Sequence, residues 1–286
     1  MSKIADLNNS LLLLNSIYSS LTKSEQKVAD TVLKDPEATV FYTITDLAEK
    51  AEVGETSVIR LCRKLGYKGY QEFKLSLVQV LATPSEQVHG KIEESDDLDQ
   101  IMKKMTSQNS QAVQNSTSLL NVQELQQAID AILAARKILF FGVGSSGITA
   151  QDAKYRFMRL GFNVDAGTDG HIIAMNASLV EKGDVVVGIS SSGSTKDLVD
   201  AVRLAKQKGA YIICLTNHAR SPIANQSDVV LLATAKETPL QGGAFSSKLA
   251  QIHLLDILST AVAMQMKDQT YRALEHTAKS VLDKLY

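Results

Sequence analysis

The second half of the chain contains the stretch Val185-Val186-Val187-Gly188-Ile189-Ser190-Ser191-Ser192-Gly193-Ser194-Thr195, an apolar run followed by a turn of serine, glycine and threonine. An earlier stretch repeats this arrangement, with Ile138 to Phe141 leading into Gly142-Val143-Gly144-Ser145-Ser146-Gly147. Each turn precedes a segment with helical periodicity. Two neighbouring strand-turn-helix units of this kind predict a single anion pocket, because glycine-rich turns and helix N-termini point backbone N–H groups at one ligand.

The residue types of the two turns define the ligand that they suit. Glycine lets a ligand approach the backbone closely, and serine and threonine hydroxyls act as neutral donors. No Lys or Arg occurs in either turn before Lys196, so binding would rest on hydrogen bonds and helix dipoles rather than ion pairs. The Gly-Lys-Ser/Thr signature of Walker-type nucleotide loops is missing. The turns therefore predict a site for a small phosphorylated ligand.

Composition limits the classes of protein to which the chain can belong. Its 286 residues are 44% hydrophobic, enough for a substantial core and two domains, and its formal net charge is -1. Any nucleic-acid surface must therefore be local. Cys62 and Cys214 fall in predicted buried elements, which indicates a reducing cytoplasm and predicts no metal site. Neither a signal peptide nor a membrane span is expected, because the apolar run 11–14 is too short to cross a bilayer.

The chain is predicted to divide at a polar, acidic stretch. Residues 83–97 include Pro84 and Gly90 and form the expected linker. Residues 1–82 carry only helical patterns, which predicts an all-α domain. Residues 98–286 begin with a helical stretch, about 98–135, and then alternate strands and helices, which predicts an α/β domain with a five-stranded parallel sheet flanked by helices. The predicted strands are 138–142, 163–166, 185–190, 211–216 and 229–233; the predicted helices between and after them are 147–160, 172–180, 195–208, 243–266 and 270–285.

A second motif lies in the all-α domain. Residues 43–51 and 56–66 have helical periodicity and are separated by a short turn at Gly54, the arrangement of a helix-turn-helix. A preceding helix is expected over 24–33, with Ser24 as its N-cap. The apolar positions of the pair supply a small core and leave one set of side chains predicted to face outward. These are Glu55, Thr56, Ser57, Arg60 and Lys64.

This outward set suits the major groove of DNA. The start of the second helix, from which side chains reach base edges, carries Thr56, Ser57 and Arg60. An arginine there can form two hydrogen bonds to one guanine. The cations that follow outnumber the single acid Glu72 and predict a surface for DNA phosphates. These cations are Arg63, Lys64, Lys68 and Lys74.

The two motifs together resemble the RpiR family of bacterial transcriptional regulators, in which an N-terminal helix-turn-helix domain precedes a C-terminal SIS (sugar isomerase) domain. The resemblance covers nearly the whole chain. It implies a homodimer or homotetramer, without a cofactor, that binds palindromic operator DNA and changes its DNA affinity when a phosphosugar occupies the SIS pocket. The segments that carry it are residues 21–29, 57–74 and 247–252 and the two serine turns.

The resemblance also implies which side chains contact the phosphosugar. In SIS domains the serine turns hold the phosphate, and His171 follows the second strand, where similar regulators place a sugar-contacting side chain. Glu237 and Lys248 are implied on the far wall of the site. The implied effector is an amino-sugar phosphate, such as N-acetylmannosamine 6-phosphate or N-acetylmuramic acid 6-phosphate. The implied turn residues are Ser145, Ser146, Ser190, Ser191, Ser192 and Thr195.

Two other functions stay open at this point. One is a SIS-fold sugar-phosphate isomerase or lyase, which needs a base to move a proton between neighbouring carbons. Aminosugar isomerases resemble the pattern Ser-Gln-Ser-Gly-Glu-Thr, whereas this chain has Ser194 at the glutamate position, and serine cannot replace that base. His171 and Glu237 remain as groups that could transfer protons. The other is an architectural DNA binder with a vestigial pocket, whose binding would ignore both sequence and metabolite.

Overall fold

A computed structural model of the protein describes residues 10–81, 92–93, 95–233 and 245–284. The described chain divides into two compact units, residues 10–108 and residues 109–284, and each unit has its own hydrophobic core. Most of the predicted linker 83–97 lies outside the described residues, and so does Glu237.

The first unit is helical up to residue 81, as predicted. Its core contains Leu14, Leu47, Leu61, Phe73 and Leu77, which are fully buried and come from four different helices. Burial of these side chains fixes the helices against one another. The helices are α1 Ser10–Ile17, α2 Lys23–Lys34, α3 Pro36–Thr39, α4 Ile44–Lys50, α5 Glu55–Lys64 and α6 Tyr70–Leu81.

Helices α4 and α5 form the predicted helix-turn-helix. Thr43 begins α4 with a capping box, in which its hydroxyl accepts from the N–H of Asp46 at 3.0 Å and the Asp46 carboxylate accepts from the N–H of Thr43 at 2.9 Å. The turn between the helices contains Glu52, whose φ is +52°. Helix α5 follows Gly54, which supplies no side-chain cap.

The start of α2 differs from the prediction, because its N-cap is Thr22 and not Ser24. The Thr22 hydroxyl accepts from the N–H of Glu25 at 3.4 Å, and the Glu25 carboxylate accepts from the N–H of Thr22 at 2.8 Å. A capping box needs a glutamate or glutamine three residues after the cap. Counting from Ser24 reaches Lys27, whereas counting from Thr22 reaches Glu25, so the earlier residue has the better partner.

The second unit is built on one five-stranded parallel sheet, as predicted, with the strand order β2-β1-β3-β4-β5. In the register, Ile138 lies opposite Val164 on one side and Val185 on the other. Each strand lies within one residue of its predicted bounds at either end. The strands are β1 Ile138–Phe141, β2 Val164–Gly167, β3 Val185–Ile189, β4 Tyr211–Thr216 and β5 Val229–Leu232.

The helices after residue 97 differ from the prediction in one place and confirm it in another. The stretch predicted as continuous over 98–135 is two helices, because the Asn121 side chain caps a new helix by accepting from the N–H groups of Gln123 and Glu124. The two helices predicted over 243–266 and 270–285 are confirmed as two helical segments of one run, which a kink divides at Lys267, where φ is 5° and ψ is -78°. The helices are α7 Leu98–Leu119, α8 Val122–Leu133, α9 Ser145–Arg159, α10 Gly170–Ser178, α11 Lys196–Gln207 and α12 Phe245–Lys279.

Helices cover both faces of the sheet. Phe140 of β1 packs in one buried cluster with Leu258 of α12, while Phe141, the next residue, packs in another with Leu198 of α11. Within the described residues, α12 is long and apolar enough to cross a membrane by length and composition. Its buried face, which includes Leu254 and Leu258, belongs to the core on the sheet, as expected for a core helix.

Candidate ligand site and DNA-facing helix

The strand order creates a switch point between β1 and β3. The chain leaves β1 toward β2 on one side of the sheet, and β3 continues toward β4 and β5 on the other side. In sheets of this order, ligands bind at the carboxyl ends of the strands where the winding reverses. The register sets Phe141 opposite Gly188, so the turn after β1 lies beside the turn after β3. The prediction that the two serine turns meet at one edge is confirmed.

The turn after β1 is tight because glycine occupies it. Gly144 has φ +61° and ψ -127°, a conformation that other L residues rarely adopt. A Cβ atom on Gly142 would lie 2.5 Å from the carbonyl oxygen of Ser146. The spacing of Gly142, Gly144 and Gly147 also occurs in dinucleotide-binding turns, so these glycines do not by themselves identify the ligand. The distinguishing feature is the hydroxyl-rich turn beside them, which the dinucleotide fingerprint lacks.

The turn after β3 folds back on itself and gathers its hydroxyls. The Ser190 hydroxyl lies 3.3 Å from the Thr195 hydroxyl and accepts from the N–H of Gly193 at 3.1 Å. Gly193 has φ +63°, and its carbonyl accepts from the N–H of Ile223 at 3.0 Å. These bonds hold the turn against the loop that follows β4.

The helices that follow the two turns begin without side-chain caps. Gly144 precedes α9 and has no side chain, and Thr195 precedes α11 but its hydroxyl does not cap the helix. By contrast, Asn121 and Asp169 cap α8 and α10. Uncapped N–H groups at a helix start carry the positive end of the helix dipole and bind anions. Two helices therefore begin at the switch point without a side-chain cap.

The start of α10 lies against the first turn of α11. A Cβ atom on Gly170 would lie 2.7 Å from Oδ2 of Asp197. His171 is the next residue; its side chain is exposed, and its backbone N–H donates to the capping Asp169 at 2.9 Å. The structure therefore places His171 at the carboxyl edge of the sheet, beside the helix that the second serine turn opens.

The first turns of α12 lie at the same edge. Asn217, which follows β4, donates from Nδ2 to the Ser247 hydroxyl at 3.0 Å. Gln251, four residues later on α12, donates from Nε2 to the Ser191 hydroxyl at 3.0 Å. Lys248 lies between Ser247 and Gln251 on this helix. The turns and the start of α10 place the predicted residues Ser145, Ser146, His171, Ser190, Ser191, Ser192 and Thr195 at this edge. Lys248 is assigned to it by its position on α12 alone, and Glu237 lies outside the described residues.

The sequence prediction did not assign Gln251, Thr149 or Asn217 to this edge. Gln251 and Thr149 are each 1% exposed, and the Thr149 hydroxyl donates to Oε1 of Gln251 at 3.2 Å. One signal was present in the sequence, because Gln251 stands among apolar positions such as Leu254 and Leu255 on the predicted helix. A buried amide requires hydrogen-bond partners, but the sequence does not say which ones.

The titratable groups of the described chain offer no activated thiol. Burial raises the pKa of the Cys214 thiol in β4, and of the Cys62 thiol in α5, to about 12. Both thiols are therefore protonated at neutral pH and are poor nucleophiles. Among the residues that the structure describes, no group of three or more His, Cys, Asp or Glu side chains is arranged to hold a metal ion.

Helix α5 presents one exposed polar face. Thr56, Arg60 and Arg63 are exposed, and their spacing of four and three residues sets them along one side of the helix. Lys68 follows the helix and is also exposed. Like the two helices at the ligand site, α5 begins without a side-chain cap, which leaves its first N–H groups open to an anion.

The prediction that Ser57 faces outward is wrong. Ser57 is 7% exposed, and its hydroxyl accepts from Nη2 of Arg60 at 3.1 Å. The serine lies on the side of α5 that packs into the core, since Val58 and Leu61 are also fully buried there. Ser57 therefore orients the Arg60 guanidinium instead of reaching a base edge.

Lys64 is not the free cation that the prediction assumed. Its ammonium lies 2.9 Å from the Glu25 carboxylate and donates to the carbonyl of Ser20 at 3.1 Å. Burial alone would raise the pKa of Glu25, but hydrogen bonds from Lys64 and from the backbone and hydroxyl of Thr22 outweigh burial and lower it. Lys64 thus ties the end of α5 to the start of α2.

Lys74 does not belong to a phosphate-binding face, contrary to the prediction. Lys74 is 7% exposed, and its ammonium donates to the carbonyl of Tyr42 at 2.8 Å. Burial lowers the pKa of Lys74 to about 8, and the charge of Asp46 opposes this shift only in part. The positive surface beside α5 therefore consists of fewer cations than the sequence suggested.

The two units together define a class of protein. A helical unit with a helix-turn-helix precedes an α/β unit in which two uncapped helices begin at a switch point, which is the plan of transcriptional regulators that carry a SIS domain. Comparisons with known proteins agree. A model of the SIS domain matches residues 131–261, and a model of the helix-turn-helix domain of the rpiR family matches residues 8–84.

Full-length relatives identify the family. An uncharacterized HTH-type transcriptional regulator of Haemophilus influenzae is 36% identical over 284 residues, which cover 98% of this chain and 99% of that protein. HexR of Pseudomonas aeruginosa is 34% identical over 91% of this chain and 90% of its own length. The structure of Vibrio vulnificus NanR complexed with ManNAc-6P has a TM-score of 0.86 and 32% identity, and the match covers 97% of this chain and 99% of that one. This chain belongs to the RpiR family of transcriptional regulators.

Proposed function

We propose that this regulator binds a phosphosugar at the edge between β1 and β3, and that the bound sugar sets its affinity for operator DNA. The observation that carries the proposal is the pair of uncapped helices, α9 and α11, each opened by a hydroxyl-rich turn. A phosphate monoester suits two helix dipoles and several neutral donors. Neither turn contains a lysine or arginine, which favours the reversible binding of a metabolite.

In this proposal the phosphate lies between the two turns. Donors from the α11 side are the hydroxyls of the second turn, and donors from the α9 side are the hydroxyls of the first turn and the N–H groups behind them. His171 contacts the sugar from the start of α10. Lys248 and Glu237 contact its hydroxyl or acetamido groups from the opposite wall. The turn hydroxyls are those of Ser145, Ser146, Ser190, Ser191, Ser192 and Thr195.

An amino-sugar 6-phosphate is the ligand that we propose within this class. Its support is the NanR structure, whose ligand is ManNAc-6P and whose chain is 32% identical to this one in a match that covers 97% of this chain. N-acetylmannosamine 6-phosphate is accordingly the first compound to test, followed by N-acetylmuramic acid 6-phosphate.

We further propose that α5 enters the major groove. Thr56 and Arg60 then contact base edges, while Arg63 and Lys68 contact phosphates, because those four side chains are exposed on or beside α5. Palindromic operators present two half-sites related by a two-fold axis, so one recognition helix per chain calls for a homodimer or a larger even assembly. Such a regulator acts on chromosomal DNA in the cytoplasm.

We propose that the site senses its ligand without turning it over. The second serine turn has Ser194 at the position where the aminosugar isomerase pattern Ser-Gln-Ser-Gly-Glu-Thr has glutamate. The nearby Asp169 accepts from the N–H groups of His171 and Ile172 as a helix cap, which gives this carboxylate a structural role. Incubation with aldose and ketose phosphates is expected to give no product at ordinary enzyme rates.

The experiment that tests the proposal measures the binding of the phosphosugar and of operator DNA to the same protein. Thermal unfolding is recorded with N-acetylmannosamine 6-phosphate, with unphosphorylated N-acetylmannosamine and with glucose 6-phosphate, because a ligand that binds the native state raises the melting temperature. Operator DNA is selected from a random-sequence pool, and its affinity is measured by fluorescence anisotropy with and without the sugar. Linkage requires that DNA change the sugar affinity by the same factor, typically about 5 to 150-fold. Equal sugar affinities with and without operator would contradict the proposed control.

A further inference from the structure

The buried amide of Gln251, on the core face of α12, contacts both halves of the ligand site. Its Nε2 donates to the Ser191 hydroxyl at 3.0 Å, and its Oε1 accepts from the Thr149 hydroxyl at 3.2 Å. Ser191 belongs to the turn after β3, whereas Thr149 lies on α9, four residues after Ser145. One side chain, which is 1% exposed, therefore bridges the second serine turn and α9, the helix that the first turn opens.

The direction of these bonds fixes what the Ser191 hydroxyl can do. An amide nitrogen only donates, so Ser191 Oγ must accept from Gln251. The hydroxyl hydrogen of Ser191 is then free to donate to another acceptor. The rest of Ser191 is already held, because its carbonyl accepts from the N–H of Asn217 at 3.1 Å and from the Thr216 hydroxyl at 3.4 Å.

Thr149 sets the orientation of the amide. It is 1% exposed and donates to Oε1 of Gln251, which turns Nε2 toward the serine turn. The chain of donors thus runs in one direction, from Thr149 to Gln251 to Ser191, and ends with a hydroxyl hydrogen at the edge of the sheet. Chains of this kind strengthen their last donor, because each bond polarises the next.

We propose that Gln251 is a positioning residue for the phosphate: it aims the Ser191 hydroxyl hydrogen at a phosphate oxygen and holds the two turns at a fixed separation. The inference rests on the proposed function, since it assigns a role within the same site. Gln251 itself does not touch the ligand. Its effect on binding passes through Ser191, and this dependence separates the role from that of an ordinary core residue.

A double-mutant cycle tests the proposal on the full chain. Titration calorimetry with N-acetylmannosamine 6-phosphate compares the native protein, Gln251→Met, Ser191→Ala and the double variant. Methionine keeps the length of the side chain and removes both hydrogen bonds. We expect each single variant to weaken binding about tenfold, the effect of one hydrogen bond to a charged group. The double variant should bind no more weakly than Ser191→Ala alone, because Gln251 acts through that serine.

Controls separate this role from a loss of folding. Leu254→Met, on the same buried face of α12, changes packing without removing a hydrogen bond and should leave sugar affinity unchanged. Gln251→Met should keep the operator affinity of the sugar-free protein. Additive losses in the cycle, or native affinity in Gln251→Met, would overturn the inference while leaving the proposed function intact. Failure of the native protein to bind any phosphosugar would overturn both.

Discussion

The hydroxyl oxygens of Ser190 and Thr195 lie 3.3 Å apart, at the two ends of the turn between β3 and α11. Thr195 is the N-cap residue of α11, yet its side chain does not cap the helix. Threonine at this position ordinarily satisfies an N–H group of the first turn. Because its hydroxyl faces Ser190 instead, the start of α11 has no side-chain cap, and the two hydroxyls are paired at the foot of that helix.

The first prediction concerns this pair. Ser190→Ala combined with Thr195→Val removes two neutral donors, while the N–H of Gly193 keeps an acceptor in the Ser190 carbonyl at 3.2 Å. Since hydrogen bonds to charged groups contribute about 1.5–3 kcal/mol each, we expect phosphosugar affinity to fall at least about a hundredfold by calorimetry. Operator affinity without sugar should stay at the native value. Loss of both activities would point to misfolding and count against a local role for the pair.

A second prediction uses the glycine of the same turn. Gly193→Ala would place a Cβ atom 2.2 Å from the Ser221 hydroxyl, at a residue with φ +63°, so the turn must shift. We expect loss of the melting-temperature increase caused by N-acetylmannosamine 6-phosphate. Gly183→Ala is the matched control, because Gly183 also has positive φ but has nothing within 4 Å of its Cβ position. That variant should be destabilised by about 1 kcal/mol and still respond to the sugar.

A third prediction separates base contacts from phosphate contacts on α5. Arg60→Ala should weaken operator binding by about 1–3 kcal/mol and reduce the preference for operator over unrelated DNA. Arg63→Ala should weaken both kinds of DNA alike and lower the salt dependence of binding. Anisotropy titrations at several salt concentrations measure both effects. An Arg60→Ala protein that loses operator and unrelated DNA equally would show that Arg60 contacts only phosphate.

A fourth prediction concerns Lys64, whose ammonium is bound to Glu25. Lys64→Met should lower the stability of the helical unit by about 1 kcal/mol or less, because solvent screens a lysine that is 39% exposed. Its effect on DNA affinity should be smaller than that of Arg63→Ala. Urea denaturation of Lys64→Met, Glu25→Gln and the double variant measures the coupling between the two side chains. Additive changes in stability would show that the pair contributes nothing.

A fifth prediction follows from the lowered pKa of Lys74, about 8 instead of 10.5. Between these values the unfolded chain binds more protons than the folded one, so this group makes stability rise with pH. As the pH rises from 7.5 to 9.5, we expect the free energy of unfolding of the native protein to increase relative to that of Lys74→Met. Urea denaturation followed by circular dichroism checks the difference. The carbonyl of Tyr42 keeps a donor in the variant, because the Tyr70 hydroxyl also donates to it at 3.1 Å.

The comparison with Lys74→Met is needed because other groups act in the opposite direction at alkaline pH. Burial raises the pKa of Cys62 and Cys214 to about 12, and burial raises that of Tyr70 as well. As the pH rises, these groups lose their protons in the unfolded chain before they do so in the folded protein, and this lowers the free energy of unfolding. They are the same in both proteins and cancel in the difference. An unchanged difference between pH 7.5 and 9.5 would contradict the buried ammonium.

Local patterns in the sequence were sufficient for the architecture. The five strands are short apolar runs between turn residues, and the helix-turn-helix follows from apolar spacing around Gly54. The two serine turns could be assigned to one edge because parallel strands end on the same side of a sheet. Capping at Thr22 was missed only because the prediction began the count two residues late, at Ser24.

The exposure of individual polar side chains could not be read in the same way. Charge alone made Lys64 and Lys74 look like parts of one basic surface, but Glu25 lies 39 residues away from the first and Tyr42 lies 32 residues away from the second. Ser57 looked exposed because serine is small and polar. Only packing against the core shows that its hydroxyl serves Arg60.

The sequence by itself determined that a DNA-reading helical domain precedes a sheet with two hydroxyl-rich turns, because periodicity, capping and turn residues act over a few neighbouring positions. The tertiary structure decided which polar groups are available to ligands. It left the starts of α9 and α11 uncapped, buried Lys74, and joined Gln251 to Ser191 across 60 residues of chain. Such pairings depend on the path of the whole backbone, since a buried donor takes whatever acceptor the fold brings within about 3 Å.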